Sequence, residues 1–507
     1  MLRRLLLSIG LTAAALAGCA PEPPPSATTP GPVFVLGFDG LAPDVLEGFE
    51  KEGILPAFAK LREEGATGRV RSTIPMISPP AWATVSTGVS PVAHGIWSFW
   101  VPEGGNPRGR FVDATARLAP AIWQDLSARG RTVGVINVPI TCPPDSVNGF
   151  MIAGFPYPEN APLTWPPTLE REILAEGYER DAWLGPPAAG EELEWLHRMR
   201  AVGDARRRIG LKRLFDAKPD FSFIVFTTPD RIQHHLWKFT DPKHPYYRPD
   251  APDELQSAVR DIYVWCDDIL AEVRSKLPRD ATLIVVSDHG FGPAYAGLSK
   301  ATVLAGLGGA GEGDVAESRN LFGGDFWLGD VDDTTRAEFR RRLADLTDPS
   351  GRSVVKEVHD TRETESAGYG LELGPDLVAE EADGYLFVPG APNAPLVGGL
   401  APGAFSGWHR RLGYFAVVGH PVDPGAAVRD LDLADVPAMA MHLLGEIIPR
   451  RYTHNIPRRV FPLTYFVERP MVFDGAPDGD LLRPGERPPA ADNAELQEQL
   501  QSLGYLK

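Results

Sequence analysis

A carboxylate and an imidazole stand side by side at Asp288-His289, shortly after the apolar run Thr282–Val286. The run has the length and composition of a buried strand. Polar groups at the end of such a strand are costly to bury unless they bind something, and in an open α/β sheet this edge is where ligands sit. Because Asp and His together suit a divalent cation such as zinc, the pair predicts a metal site whose remaining ligands must come from elsewhere in the chain.

Asp and His residues of the same kind lie next to three other predicted strands. A lone His is more often a satisfied surface or core residue than a ligand, so each position by itself is weak evidence. Several such groups on one sheet edge are harder to dismiss, since their charges would repel one another without cations between them. The residues are Asp39 after the strand at 33–38, Asp230 and His234 after the strand at 221–227, and His409 before the strand at 414–418.

Ser78 opens a segment of different character. Pro79 and Pro80 follow it and suit the first turn of a helix, which predicts that Ser78 lies at a helix N-terminus, where an anion is favoured. Two interpretations are open: a group beside a bound anion and an ordinary N-cap. The local sequence alone favours the N-cap.

The order of the predicted elements indicates an α/β fold, with a doubly wound, mainly parallel sheet flanked by helices. We expect the core at 33–294 and 384–465, an inserted lid or cap region at 295–383, and a C-terminal extension at 466–507. The stretch at 296–313 is Gly-rich and is expected to be irregular. Strands are predicted at 33–38, 132–138, 221–227, 282–286, 385–388 and 414–418, and helices at 55–64, 253–277, 332–346, 433–444 and 494–506.

The first residues have the pattern of an export signal. A basic head precedes an apolar segment at 5–17 that is too short to span a bilayer comfortably. The segment ends in Leu16-Ala17-Gly18-Cys19, which resembles the bacterial lipoprotein processing box, so residues 1–19 are predicted to be a lipoprotein signal peptide with Cys19 as the lipidated residue. A plain secretory signal is the alternative.

Residues 20–32 are rich in Pro, Ser and Thr, and we expect them to form a flexible tether. The predicted location is therefore the bacterial cell envelope, where the N-terminal lipid would hold the protein on a membrane at its periplasmic or extracellular face.

The charge balance excludes one class of partner. The chain of 507 residues has a formal net charge of −17 and no long basic stretch, so binding to a nucleic acid polymer is not expected. Cys142 and Cys266 could pair in an oxidising compartment or remain free buried thiols. The sequence leaves the oligomeric state open.

Several short motifs together resemble the alkaline phosphatase superfamily, and within it the branch of type I phosphodiesterases and nucleotide pyrophosphatases. They follow the family order and span about residues 33–465. Together these motifs identify the superfamily, but they say much less about which substrate the protein acts on. The motifs are Phe38-Asp39-Gly40, Ser78-Pro79-Pro80-Ala81-Trp82 with Thr87-Gly88, His94-Gly95-Ile96, Pro229-Asp230 with His234, Ser287-Asp288-His289-Gly290, and Gly407-Trp408-His409.

The resemblance implies an alkaline phosphatase-like fold and the hydrolysis of phosphate esters, with phosphodiesters expected first. It also implies that Ser78 is a nucleophile that forms a phosphoseryl intermediate between two zinc ions, although manganese or iron would also suit carboxylate and imidazole ligands. By position, the ligands of one ion are Asp39, Ser78, Asp288 and His289, and those of the other are Asp230, His234 and His409.

The chain departs from the family at a position that binds a phosphoryl oxygen. Nucleotide pyrophosphatases place an Asn after the His-Gly-Ile segment, but here Trp97-Ser98-Phe99-Trp100 follows, which counts against nucleotide pyrophosphatase activity in particular. Arg231, His235 and Lys300 are candidate replacements that would bind the anionic substrate. The alternative is that they are a surface charge and solvated loop residues.

Other functions remain as alternatives. A phosphomonoesterase, or a phosphonate or sulfate ester hydrolase of the same superfamily, would use similar residues. Sulfatases need a Cys or Ser in a Cys/Ser-x-Pro-x-Arg segment, which the residues after Ser78 do not supply. A transferase of phospho-headgroups is disfavoured because most such relatives have several membrane spans. A non-catalytic envelope lipoprotein is disfavoured because every expected ligand position carries a competent residue type.

Overall fold

The structure is a computed structural model, and it describes residues 30–103, 106–158, 160–180, 185–306, 316–317, 322–363, 370–391, 393–401, 405–452, 455–475 and 481–483. The predicted signal peptide, Cys19, most of the tether and the helix expected at 494–506 lie outside these ranges and stay predictions. Among the described residues, none of the helices combines the length and apolar character needed to cross a membrane.

Strands and helices alternate along most of the chain. The strands are β1 (Val33–Phe38), β2 (Ala66–Arg71), β3 (Trp100–Glu103), β4 (Asn106–Phe111), β5 (Val133–Ile136), β6 (Gly149–Ile152), β7 (Thr164–Trp165), β8 (Phe221–Phe226), β9 (Thr282–Val286), β10 (Gly290–Ser299), β11 (Ala316–Glu317), β12 (Gly324–Leu328), β13 (Val355–Asp360), β14 (Leu377–Glu381), β15 (Gly384–Val388), β16 (Val397–Gly398), β17 (Gly407–Arg410), β18 (Leu412–Gly419), β19 (Ala427–Asp432), β20 (Ile448–Pro449) and β21 (Phe473–Asp474). The helices are α1 (Pro43–Lys51), α2 (Pro56–Glu64), α3 (Ser78–Thr87), α4 (Pro91–His94), α5 (Ile122–Ala128), α6 (Thr168–Ala175), α7 (Glu192–Ala217), α8 (Thr228–Thr240), α9 (Asp253–Gln256), α10 (Ala258–Lys276), α11 (Lys300–Gly306), α12 (Asp333–Ala344), α13 (Asp435–Leu443) and α14 (Tyr465–Glu468).

Nine strands form a central sheet in the order β19-β2-β18-β9-β1-β8-β5-β6-β7. β1 lies in its middle and pairs in parallel with β8 on one side and β9 on the other. β18 is antiparallel to both of its neighbours, β9 and β2, and β7 is antiparallel to β6. The sheet is therefore mainly parallel, which confirms the fold class predicted from the sequence.

Helices cover both faces of the sheet because both faces are apolar. Along β1, Phe34, Leu36 and Phe38 pack into one core cluster with side chains of α2, α7 and α10. Val33 and Val35 pack into a second cluster with side chains of α3, α5 and α13. Successive side chains of a strand point to opposite faces, so an entirely buried strand of this kind needs cover on both sides.

The region after β9 carries two smaller sheets. In one, β10 pairs with β15, β16 and β17, and the other has the order β11-β12-β14-β13. The strand predicted at 385–388 is present as β15. It lies outside the nine-stranded sheet, because it pairs in parallel with β10. The expectation of an irregular stretch at 296–313 is wrong at its beginning, where β10 ends and α11 follows. Leu298 and Val303 order this part because they pack against Phe326 and Phe387.

The other predicted elements are present within a few residues of their expected bounds. The amphipathic stretch at 253–277 is divided at Ser257 into α9 and α10. Cys142 and Cys266 are both buried and free, so of the two alternatives the structure has free thiols.

Candidate active site

The predicted site residues meet at the carboxyl edge of three adjacent strands. Asp39 directly follows β1, Asp230 lies in the first turn of α8 after β8, and Asp288 and His289 connect β9 to β10. Because β8, β1 and β9 are neighbours and parallel, their carboxyl ends bring these side chains together. His409 reaches the same place from β17, where it pairs with Phe291 of β10.

One group of possible ligands consists of Asp39, Asp288 and His289. His289 Nε2 lies 3.2 Å from Asp288 Oδ2 and 3.5 Å from Asp39 Oδ1. Ser78 adjoins this group, with its Oγ 3.3 Å from Asp39 Oδ1 and 3.5 Å from His289 Nε2. The three ligand candidates are buried, whereas Ser78 is only partly buried, so its hydroxyl is the part of the group that a substrate could reach.

A second group consists of Asp230, His234 and His409. Asp230 and His234 are four residues apart on α8 and share one face of the helix. Asp230 Oδ1 lies 3.3 Å from His234 Nε2 and 3.2 Å from His409 Nε2, and the two Nε2 atoms are 2.9 Å apart. The groups adjoin, since the rings of His289 and His409 stack with centroids 3.7 Å apart and His289 Nε2 lies 3.9 Å from Asp230 Oδ1.

Backbone carbonyl groups fix the orientation of all three imidazoles. A carbonyl oxygen only accepts, so each Nδ1 must carry the proton and donate it, which leaves a lone pair on Nε2. The three lone pairs face carboxylate oxygens, which are also acceptors. Electron pairs thus converge at the centre of the site, and the Ser78 hydroxyl is a donor beside them. The Nδ1 contacts are His234 to Gly407 O at 2.9 Å, His409 to Met76 O at 2.9 Å, and His289 to Gly290 O at 3.1 Å.

The pKa shifts express the same crowding. Burial, with the charges of Asp288 and Asp230, raises the pKa of Asp39 well above its usual range, and burial with Asp230 does the same to the pKa of Asp288. Burial lowers the pKa of His409 to about 4 and that of His289 well below 6.5, which favours the neutral, metal-binding imidazole.

The residues present fit divalent cations. Asp288 Oδ2 is buried and has no hydrogen-bond partner among the described residues, and an orphaned carboxylate oxygen in such a position is costly. Carboxylate oxygens and imidazole nitrogens are ligands that zinc, manganese and iron accept. A cation in each group would supply the positive charge that the surrounding side chains lack.

Ser78 is the first residue of α3, and the N-cap is Ile77, which makes no side-chain capping bond. The interpretation of Ser78 as the N-cap is therefore wrong. Its hydroxyl lies beside Asp39 and His289 at the helix N-terminus. Pro79 and Pro80 carry no backbone N–H, so the helix dipole is what favours an anion there.

A small cleft opens beside Ser78. Its wall is mostly apolar, with Phe99, Ile140 and Phe155 as the large side chains, and Arg231 and Asp230 are among its polar residues. Of the three candidate anion-binding residues, Arg231 alone lines this cleft. His235 is buried between Trp195 and Phe405, and Lys300 is buried with its Nζ 3.4 Å from Asp325 Oδ1 in the inserted region.

Trp82 belongs to the site, although the sequence assigned no role to it. It lies four residues after Ser78 on α3, and its indole Nε1 donates to Asp39 Oδ2 at 2.9 Å. Helical spacing from Ser78 is the signal that could have identified it. On the other side of the site, Gly40 N donates to Asp288 Oδ1 at 3.1 Å, and Gln233 Nε2 donates to Gly40 O at 2.8 Å. No pattern in the local sequence predicts these two contacts.

The fold and the paired Asp/His groups define an alkaline phosphatase-like α/β protein with candidate metal sites. The family profile described as "Type I phosphodiesterase / nucleotide pyrophosphatase" matches residues 33–366, and the chain belongs to this family. It is accordingly a phosphoric ester hydrolase, from a superfamily whose members use divalent metals. No curated protein matches the sequence.

Solved structures with the same fold come from mammals and bacteria. Human ectonucleotide pyrophosphatase/phosphodiesterase 5 is 14% identical with a TM-score of 0.51, over 82% of this chain and 95% of that chain. An inactive form of the murine enzyme in complex with AMP is 16% identical with a TM-score of 0.51, over 84% and 97%. Phosphonoacetate hydrolase from Sinorhizobium meliloti 1021 in complex with phosphonoacetate is 18% identical with a TM-score of 0.52, over 82% and 96%. At these identities the likeness concerns the fold.

Proposed function

We propose that the protein hydrolyses phosphodiesters through a phosphoseryl intermediate on Ser78, with two zinc ions in the two groups of ligands. The observation that carries the proposal is the convergence of three bare Nε2 atoms and three buried carboxylates beside the Ser78 hydroxyl. Asp39, Asp288 and His289 would hold one ion next to Ser78, and the second group described above would hold the other.

The two cations would supply charge that favours ionisation of the attacking hydroxyl and departure of the leaving oxygen. Ser78 Oγ attacks phosphorus after its proton passes to solvent, and the bond between phosphorus and one ester oxygen breaks with its electron pair on that oxygen, which takes up a proton from solvent and leaves as the alcohol. Water then hydrolyses the phosphoseryl ester and restores the hydroxyl. Trp82 and Gly40 hold Asp39 and Asp288 in place by donating to the carboxylate oxygens.

The cleft favours a diester over a monoester. Phe99, Ile140 and Phe155 line the space beside Ser78, and such a wall would contact an ester substituent more favourably than the additional charged oxygen of a monoester. Arg231 is the cationic side chain that lines this space, and we assign it to a non-bridging phosphoryl oxygen. Phe99 belongs to the segment in which the family's Asn is missing, so the cleft does not reproduce that contact.

The test compares four substrates on zinc-loaded protein: bis-p-nitrophenyl phosphate, its monoester, and the phosphonate and sulfate analogues. The diester should be hydrolysed fastest, and the metal content should be about two ions per chain. Ser78→Ala should lower turnover by at least about 10³-fold and keep the metals. Ser86→Ala on the same helix is the matched control, because the Ser86 hydroxyl is buried without a hydrogen-bond partner among the described residues. Absence of turnover of all four substrates would overturn the proposal.

A further inference from the structure

A face of the molecule formed by the C-terminal segment exposes large apolar side chains. Leu463 is 99% exposed, Val467 81%, Val472 51% and Ile447 40%. Tyr465 and Phe466 of α14 pack against His442, which leaves Val467 on this helix and Leu463 just before it exposed. We call Ile447, Leu463, Val467 and Val472 the C-terminal apolar face. His442 connects its two parts, because it lines one groove with Ile447 and Val472 and packs against α14. Exposure of this kind marks an interaction surface when it is clustered.

The described chain begins beside this face. Pro30 lines one groove together with Gly445, Ile447 and Val472, and it lies so close that a Cβ on Gly445 would be 2.8 Å from Pro30 Cγ. Residues 20–29 separate Pro30 from Cys19, and a chain of that length reaches about 35 Å at most when extended. A lipid on Cys19 would therefore hold the groove within that distance of the bilayer.

Arginines outnumber acidic residues in the segment that carries the face, in a chain that is negative overall, and one of these arginines, Arg451, is buried and paired with Asp125. The segment 445–472 contains five arginines and two glutamates, whereas the chain carries a net charge of −17. Arg450 and Arg459 are exposed. Exposed apolar side chains and exposed arginines in the same segment suit the interface of an anionic membrane.

The face lies at the opposite end of β1 from the candidate active site. β1 begins at Val33, three residues after Pro30, and ends at Phe38, directly before Asp39. Six residues of strand span about 20 Å. The groove is therefore at the amino edge of the central sheet, and Ser78 and its neighbours are at the carboxyl edge.

We propose that the C-terminal apolar face rests on the anionic membrane that holds the lipidated Cys19, so that the active site points away from the bilayer and takes water-soluble phosphate esters. The docking part depends on the predicted lipid anchor, and the substrate part rests on the proposed function. Phospholipids within the same membrane would lie at the wrong edge of the sheet to reach Ser78.

Photocrosslinking of the full chain tests the docking. The protein, processed at its own N terminus, is reconstituted into vesicles of phosphatidylcholine and phosphatidylglycerol that contain a photoactivatable phospholipid, and crosslinked peptides are identified by mass spectrometry. We expect crosslinks concentrated in 447–472. Leu463→Ser with Val467→Ser should reduce them at least fivefold, and Arg450→Glu with Arg459→Glu should reduce them by a similar factor at low salt. Leu174→Ser is the matched control, since Leu174 is also half-exposed, on α6.

Each outcome has a separate meaning. If the protein floats with the vesicles but the crosslinks fall on other segments, the membrane does not bind the C-terminal apolar face, although the lipid anchor stands. The same conclusion follows if crosslinks show that a second copy of the chain or the C-terminal extension covers this face. Failure to float would overturn the anchor and the docking together. A soluble diester should be hydrolysed within twofold of the rate in detergent, and hydrolysis of the vesicle phosphatidylglycerol would overturn the orientation. Loss of turnover in detergent as well would instead count against the proposed function.

Discussion

Replacement of Trp82 by phenylalanine tests how the site holds its first carboxylate. Trp82 is fully buried, and its indole donates to Asp39 Oδ2 at 2.9 Å. Phenylalanine keeps an aromatic ring against Phe223 but removes the donor. A hydrogen bond to a charged group contributes roughly 1.5–3 kcal/mol, and loss of a residue that orients a metal ligand typically costs about 10–100-fold in affinity or activity. We therefore expect Trp82→Phe to weaken zinc binding and kcat/KM by about 10–100-fold.

Trp123→Phe is the matched control for this substitution. Trp123 is also fully buried, its indole also donates to a carboxylate, at 2.7 Å from Asp145 Oδ2, and its ring also lies near Phe223, with centroids 6.4 Å apart. Both variants lose a similar volume and a similar hydrogen bond, so both should be destabilised alike in urea unfolding. Only the Trp82→Phe variant should bind zinc more weakly than the unmodified protein, as measured by competition with a chromogenic chelator. Equal zinc affinity for the two folded variants would refute the assignment.

Three further expectations follow from the same contacts. Asp230→Asn should remove about one of two bound metal ions, and unchanged metal content would contradict the second group. Arg231→Ala should lower kcat/KM for the diester by about 10–100-fold without loss of metal, whereas an unchanged value would exclude the phosphoryl contact. Burial raises the pKa of Glu381 to about 7, against about 4.3 in an unfolded chain. The folded chain thus holds this proton more tightly, so the free energy of unfolding should fall by up to about 3.7 kcal/mol as pH rises from about 4 to above 7, and Glu381→Gln should flatten that dependence.

The parts of the site that could be predicted are those encoded by a strand and the residue after it. β1, β8 and β9 are short apolar runs, and each is followed within a few residues by a carboxylate. A parallel sheet brings such carboxyl ends together, so Asp39, Asp230 and Asp288 converge as the pattern indicates. The predicted roles of these residues follow from the resemblance.

The parts that could not be predicted depend on long-range pairing. β15 has the apolar composition of a core strand, but it pairs with β10 rather than with the central sheet, and composition does not identify a partner strand. Lys300 looks like an anion-binding candidate in the sequence, but Asp325 takes its ammonium group. In the same way, the donor to Asp39 is an indole from another segment. The helical spacing of Trp82 from Ser78 places it near the site but does not identify Asp39 as its partner.

The buried carboxylates connect stability to function in this site. Without cations, burial and mutual repulsion disfavour the ionised forms of Asp39 and Asp288, and the orphaned Asp288 Oδ2 adds a desolvation cost. Fixed imidazole orientations prevent the site from relaxing by turning Nδ1–H groups inward. The arrangement is thus unfavourable for the fold alone, and a ligand that binds only the folded chain would offset this cost. A protein that kept the fold for a structural role would not need these buried carboxylates beside a serine that a substrate can reach. Phosphoryl transfer does need charge stabilisation there, and this favours an enzyme over a non-catalytic protein with the same fold.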